Sequence, residues 1–188
     1  MPKRKKILLT TSRRPTKRIR SFCHDLAGCL PGVVRINRGK LNLNGIAEKA
    51  LEINADRVVI IDRWKGGSGK IQLFLVEETG LTPVPPIIYI RDINLRREFE
   101  IKTKRVQSFV ITTLPEASSR SKEVGEFLAH FFNILMLSVE QAASSYSASM
   151  HVSTNASGRI IITFVLLPGF IEVGPSISVA KVTYSGKV

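Results

Sequence analysis

No stretch of this sequence stays apolar for the roughly 18 residues that a membrane-spanning helix needs. Ile7–Leu9, behind its basic neighbours, is too short for the core of a signal peptide. The expectation is a soluble, non-secreted, cytoplasmic chain with no membrane partner. Cysteine is scarce. Cys23 and Cys29 stand six apart on what reads as one helix, where about 100° per residue sends them to different faces, so they are neither a CxxC pair nor a disulfide. The three histidines, His24, His130 and His151, show no ligand spacing, and no metal or other cofactor is expected. Acid is scarce as well: 15 Asp and Glu face 28 Lys and Arg, a net charge of +13.

What is abundant is apolar residue, 44% of 188, enough to bury a core in one domain or in two small ones packed together. The positive charge is concentrated. Residues 1–40 hold twelve Lys or Arg against one acid, Asp25; residues 41–105 hold eleven against nine, and 106–188 hold five against five. A patch of this kind is the electrostatic footprint of a polyanion, nucleic acid being the commonest.

The pattern along the chain is α/β. Lys6–Thr11 reads as a short buried strand. Pro15 suits the first position of a helix whose stripe is Ile19, Phe22, Cys23, Leu26, Ala27 and Leu30, with Pro31 and Gly32 as the stop. Val33–Asn37 is a second strand, and Leu43, Ile46, Ala47, Ala50 and Leu51 make a second helix capped by Asn42 or Asn44. DRVVIIDR, Asp56–Arg63, reads as a central strand, Gly66–Gly69 as a turn, Lys70–Glu77 as its hairpin partner and Ile87–Ile93 as a further strand.

The second half repeats this order. Ile7–Thr11 matches Phe109–Thr113, and Arg57–Ile60 matches Arg159–Ile162, both at an offset of 102. Between them lie a helix carrying Val124, Phe127, Leu128, Phe131 and Leu135, and a short strand within Ile134–Leu137. A capping box at Ser138–Gln141 follows, before Val139, Ala142, Ala143, Tyr146 and Met150 at helical spacing, and Ser176–Tyr184 closes as a strand. The expectation is an internal duplication: two topologically related βαβαβ-type halves, a basic one at 1–95 and a neutral one at 96–188, joined through Leu95–Arg105, with right-handed parallel crossovers in each.

Catalytic motifs do not emerge. WKGGSGK, Trp64–Lys70, contains Gly-Lys. A phosphate loop, however, needs Gly where Trp64 stands, Ser or Thr where Ile71 stands, and a helix afterwards, so a glycine-rich turn is the better account. Asp56, Asp62 and Asp92 fall at strand ends without a nucleophile, a base and its orienter beside them. No enzyme and no small-molecule substrate are expected.

The basic residues carry the functional signal. A helix N-terminus holds about half a positive charge, so a cation there costs roughly 0.3–1 kcal/mol. Arg13, Arg14, Lys17, Arg18 and Arg20 nevertheless crowd that end, an arrangement that makes sense if an anion occupies it, with Thr10, Thr11 and Ser12 adding hydroxyls. RINRGK places Arg35, Asn37, Arg38 and Lys40 before the second helix, with Gly39 allowing close backbone approach. The third strand ends in Arg63, Trp64 and Lys65, and Lys3, Arg4, Lys5 and Lys6 precede the first. In a parallel sheet the ends of strands one, two and three emerge on one edge, so the three loops should converge. Trp64 between two cations reads equally as a stacking platform for a base or as an anchor of its turn.

At TTSRRPTKR, RINRGK and DRWKG the sequence resembles the Brix-domain family, in particular its small archaeal single-domain members related to the eukaryotic small-subunit processome protein; LPEASSRSKEVGEFLAHFF and GPSISVAKV extend the likeness into the second half. The resemblance implies ribosome biogenesis, pre-ribosomal RNA as ligand, other ribosome assembly proteins as partners, and no catalysis. It also implies halves similar to the anticodon-binding domain of class II aminoacyl-tRNA synthetases, together making one Brix domain. The leading expectation is an RNA-binding assembly factor that contacts RNA through the N-terminal half and uses the C-terminal half as scaffold or docking face. An RNA-modifying enzyme or subunit, and a protein adaptor with a basic docking arm, stand as alternatives.

Overall fold

A computed structural model describes residues 6–100, 106 and 108–184. Two compact units divide the chain: the first reaches Tyr89 and is taken up again from Lys181, and the second is Ile90–Ala180. The division therefore falls inside strands and not at the expected 95/96 boundary. The strands concerned, β5 (Gly80–Asn94) and β10 (Ile171–Thr183), are 15 and 13 residues long, and each contributes to both units.

The first unit runs β1 (Lys6–Thr11), α1 (Lys17–Cys29), β2 (Val33–Arg35), α2 (Leu43–Glu52), β3 (Ala55–Trp64), β4 (Gly67–Glu77) and β5, with its strands ordered β2-β1-β3-β4-β5. Strand β1 pairs in parallel with β2 and with β3, Leu9 opposite both Arg35 and Val59, while β4 returns antiparallel to β3. Alternation along these strands separates two buried faces. Leu8, Val58, Ile60 and Phe74 form one cluster with Ile46 and Ala50 of α2. Ile7, Leu9, Val59 and Ile61 point the other way, and α1, which packs against β1, β2 and β3, buries Ile19, Phe22, Cys23 and Leu26.

Helix α1 begins at Lys17, two residues later than its proline suggests. Thr16 is the N-cap, its hydroxyl accepting from Ile19 N at 3.2 Å, so Pro15 lies before the cap; its fixed φ sets the approach of the chain without opening the helix. Both Cys23 and Cys29 are buried free thiols, so the expected separation of their faces does not leave either in solvent. Burial pushes the Cys23 thiol up to about 12, against a smaller opposing effect of the Arg35 charge. In α2 the cap is Asn42, which accepts from Gly45 N at 2.8 Å, and Ile46, Ala47 and Ala50 are buried. Leu43 and Leu51 are 43% and 63% exposed, so the stripe is narrower than its leucines suggest.

The second unit runs from β5 through a 3₁₀ turn (Arg96–Glu98), β6 (Phe109–Thr113), α3 (Ser119–Phe132), β7 (Met136–Ser138), α4 (Val139–Ala143), β8 (Ala148–Thr154), β9 (Ile160–Leu166) and β10, with strand order β10-β9-β8-β6-β7. The order of elements is that of the first unit. Strand β6 pairs in parallel with β7 and β8, and β9 runs antiparallel to β8. Three expectations are corrected here. The capping box at Ser138 and Gln141 is present, but α4 ends at Ala143 and Met150 lies in β8. Ser147 and Ser108 exchange hydrogen bonds of 2.9–3.0 Å that draw the chain into a strand, and Ala148–Val152 is buried without a break, as in a strand covered on both faces. Because β8 is the parallel neighbour of β6, it corresponds in position to β3; Arg159–Ile162 leads into β9 instead, so the second of the two sequence matches joins non-corresponding strands. Leu135, expected on the face of α3, follows the left-handed Asn133 that ends that helix and is exposed.

Gly174 has φ +60°, and a methyl group added there would overlap the Phe99 ring; Gly158 has φ +75° with open space around it. Gly158→Ala should therefore cost only the left-handed penalty of about 1–2 kcal/mol. Gly174→Ala should add about 1–3 kcal/mol of overpacking. Urea unfolding of the two variants measures the difference directly, and equal losses would show that Phe99 yields without cost.

Candidate nucleic-acid interface

The parallel register of β1 with β2 and β3 brings three strand ends to one edge. Main-chain bonds lock them: Ser12 N donates to Ile61 O at 2.9 Å, and Ile36 N donates to Leu9 O at 3.0 Å. The Thr10 hydroxyl donates to Ile36 O at 3.0 Å, which binds the start of the β2–α2 loop to β1. Thr11 is buried and its hydroxyl donates to Ser12 O at 3.1 Å, so neither of these threonine hydroxyls is free for a ligand. The Ser12 hydroxyl, by contrast, has no hydrogen-bond partner.

Two arginines from different loops meet at one carbonyl. Arg38 Nε donates to Leu41 O at 2.8 Å, and Arg13 Nε donates to the same oxygen at 3.4 Å. Arg38 Nη1 reaches across to Thr11 O at 3.3 Å. Burial lowers the Arg38 pKa, the neighbouring Arg13 charge lowers it further, and Asp62 at the end of β3 opposes both. These interactions place Arg13, Arg38 and Asp62 within one electrostatic neighbourhood built from all three loops. Arg13, Asn37, Arg38, Gly39, Lys40 and Asn42 line an open cleft of about 570 Å³ beside it. Gly39, at φ +52°, supplies the left-handed turn that lets this loop fold back on Leu41. Arg35 donates to Asn37 Oδ1 at 3.0 Å and so lies at the border of the cleft.

Around this centre the positive charge is largely uncompensated. Arg14, Lys17, Arg20, Lys40, Arg63 and Lys65 are exposed, and their charged groups have no ion-pair or hydrogen-bond partner among the described residues. Arg18 is exposed and takes part in an interaction of its own, and Lys6 is exposed at the opposite end of β1 from the cleft. Neither α1 nor α2 carries an acid in its first turn. Asp62 is the acid of this edge, and it is engaged: Oδ1 accepts from Arg63 N at 2.7 Å, and Oδ2 lies 3.8 Å from Lys70 Nζ. Lys3, Arg4 and Lys5 lie outside the described residues.

Trp64 is half-buried. Its ring meets Tyr89 edge to face at a centroid distance of 5.1 Å, and Lys181 Nζ lies 5.8 Å from its ring. Tyr89 and Lys181 are the residues that sequence reasoning passed over. Tyr89 sits in a strand read only for its apolar content. Lys181 is the lone cation in a stretch of β10 far along the chain, and no local pattern links it to Trp64.

A second polar cluster competes for attention in the second unit. Thr112 Oγ1 lies 2.9 Å from Ser149 Oγ and 3.1 Å from His151 Nδ1, and the His151 ring stands edge-on to Phe170. All three polar side chains are buried, His151 being 4% exposed, so the trio resembles a satisfied core network more than a reaction centre. Among the described residues no group of three or more His, Cys, Asp or Glu could hold a metal ion, and no helix is long and apolar enough to cross a membrane. Burial lowers the His151 pKa from 6.5, so the unfolded chain takes up this proton first as pH falls. Stability should decline below about pH 6.5 by up to about 1.4 kcal/mol per pH unit for one proton. His151→Gln should flatten that decline in urea titrations at pH 7.5 and 5.5; an unchanged slope would assign it to other groups.

No family model matches the chain. It is 36% identical over 90 residues to a "Probable Brix domain-containing ribosomal biogenesis protein" of Aeropyrum pernix, covering 48% of this chain and 50% of that protein. In that alignment the chain spans about half the length of its relative. A protein of the same description from Pyrobaculum aerophilum is 30% identical over 135 residues, 70% of this chain and 71% of the relative. The crystal structure of a probable ribosomal biogenesis protein from Aeropyrum pernix superposes with a TM-score of 0.76 at 25% identity, covering 94% of this chain and 96% of the other. Sharing an α/β fold with a mixed sheet over nearly its whole length, and sequence over more than two thirds of the Pyrobaculum protein, the chain belongs to the Brix domain-containing ribosomal biogenesis proteins.

Proposed function

We propose that this chain is a non-catalytic ribosome assembly factor that binds pre-ribosomal RNA through the basic edge of its first unit. The meeting of Arg13 and Arg38 on the Leu41 carbonyl carries the reading. Two guanidiniums held together in a partly buried corner repel one another, and a phosphate between or beside them converts that repulsion into two charge-assisted contacts. The exposed, unpartnered cations Arg14, Lys17, Arg20, Lys40, Arg63 and Lys65 extend the field along the same edge. The anion is met by side chains more than by helix amides, because Thr16 and Asn42 already occupy amides of α1 and α2.

The second unit, with five basic and five acidic residues between 106 and 188, serves as scaffold or docking face for other assembly proteins. The names of the relatives support a place in ribosome biogenesis. The chemistry asked of the chain is positioning of RNA and not bond-making, so no cofactor or small-molecule substrate is required. The repeated order of elements supports an internal duplication, and the family resemblance implies that each copy is similar to the anticodon-binding domain of class II aminoacyl-tRNA synthetases.

Replacing Arg13, Arg14, Arg35 and Arg38 together by Ala should weaken RNA binding by more than tenfold. If each contacts one phosphate of a single strand, the slope of log affinity against log salt should flatten by about 3, at roughly 0.7 per phosphate. Fluorescence anisotropy of a labelled ribosomal RNA fragment between 50 and 200 mM salt supplies both quantities. Unchanged affinity and slope would reject this surface as the RNA contact and favour a protein adaptor.

A further inference from the structure

Trp64 is the only tryptophan in the chain and closes β3 two residues beyond Asp62, on the edge that carries the arginine cleft. The turn that follows packs against its ring: a methyl group added at Gly66 would come within 2.5 Å of Trp64 Cζ2. Tyr89 meets the ring at an interplanar angle of 63°. Lys181 Nζ stands 4.5 Å from the Tyr89 centroid and 5.8 Å from that of Trp64. Lys181 is exposed, and among the described residues these two rings are its only partners. The neighbours of Trp64 in sequence, Arg63 and Lys65, are exposed cations without partners for their charged groups among the described residues.

A purely structural role accounts for part of this. Gly66 and Tyr89 hold the indole in place, and an exposed cation–π contact contributes only about 0.5–1 kcal/mol. It leaves unexplained why Lys181, which has no carboxylate partner among the described residues, stands over an aromatic pair that is only partly buried. An aromatic face beside an exposed ammonium group matches the two chemical halves of a nucleotide, a flat base and its phosphate. Stacking of that kind is open to bases in single strands and loops, because a base inside a duplex already has neighbours on both faces. Lys181 is suited to the exchange: it gives up a weak contact with the rings and gains a phosphate oxygen.

We infer that Trp64, Tyr89 and Lys181 form a subsite for one unstacked base of single-stranded RNA, with Lys181 moving from the aromatic faces to the phosphate of that nucleotide. The inference rests on the RNA-binding reading and sharpens it, since it names a single-stranded or looped segment as the target of this edge.

The lone tryptophan makes the test direct. The full chain is titrated with a fluorescein-labelled single-stranded RNA and, separately, with the same sequence as a duplex, following anisotropy for binding and Trp64 emission in parallel titrations of unlabelled RNA for stacking. The expected result is quenching of Trp64 emission that tracks the anisotropy transition for the single strand and is absent with the duplex. Lys181→Gln and Tyr89→Leu should each weaken single-strand binding, by about tenfold for the tyrosine, within the range found for loss of one stacked base. Binding by anisotropy without any change in emission overturns the subsite while leaving RNA binding at the arginine cleft intact. Equal quenching by the duplex overturns the preference for single strands. An absence of binding to either RNA overturns the RNA-binding reading itself.

Discussion

Parallel pairing of β1 with both β2 and β3 is the constraint from which the rest of the first unit follows. A central strand with parallel neighbours must send three chain segments out of the sheet on the same edge, and each must turn back through a helix or a hairpin. The main-chain bonds from Ser12 to Ile61 and from Ile36 to Leu9 fix these exits relative to one another. Side chains that are distant in sequence, Arg13 and Arg38, then meet at a single carbonyl.

That meeting has an electrostatic cost that local structure does little to relieve. Neutral caps, Thr16 and Asn42, stand at helix starts where acids would offset the nearby cations, and Asp62 is already engaged by Lys70 and by the Arg63 amide. Arg38 feels the conflict most, being partly buried beside Arg13. A fold selected for stability alone would add acids at these helix starts beside Asp62. The corner keeps its charge, and a polyanion is the partner that such a field attracts at long range and holds at short range.

Much of this was legible in the sequence. The stripe of α1, the Asn42 cap, the Ser138 capping box and the apolar centre of β3 obey local rules, and the convergence of the basic loops follows from the βαβ order. The second unit was less legible, because Val139–Met150 satisfies helical spacing while its serines and its β6 neighbour make half of it a strand. Short apolar runs resemble one another, which is how Arg159–Ile162 came to match a strand it does not replace. The aromatic cluster was half visible: Trp64 declared itself between cations, but its packing on Tyr89 and under Lys181 depends on tertiary structure and has no local signature.

The chain leaves the first unit within β5 and re-enters it only at Lys181, near the end of β10. The aromatic pair of the first unit therefore acquires its third member after the whole second unit has been synthesised. The proposed base subsite thus draws on a residue that follows the whole second unit in chain order, whereas the arginine cleft is built from residues 13–42 alone.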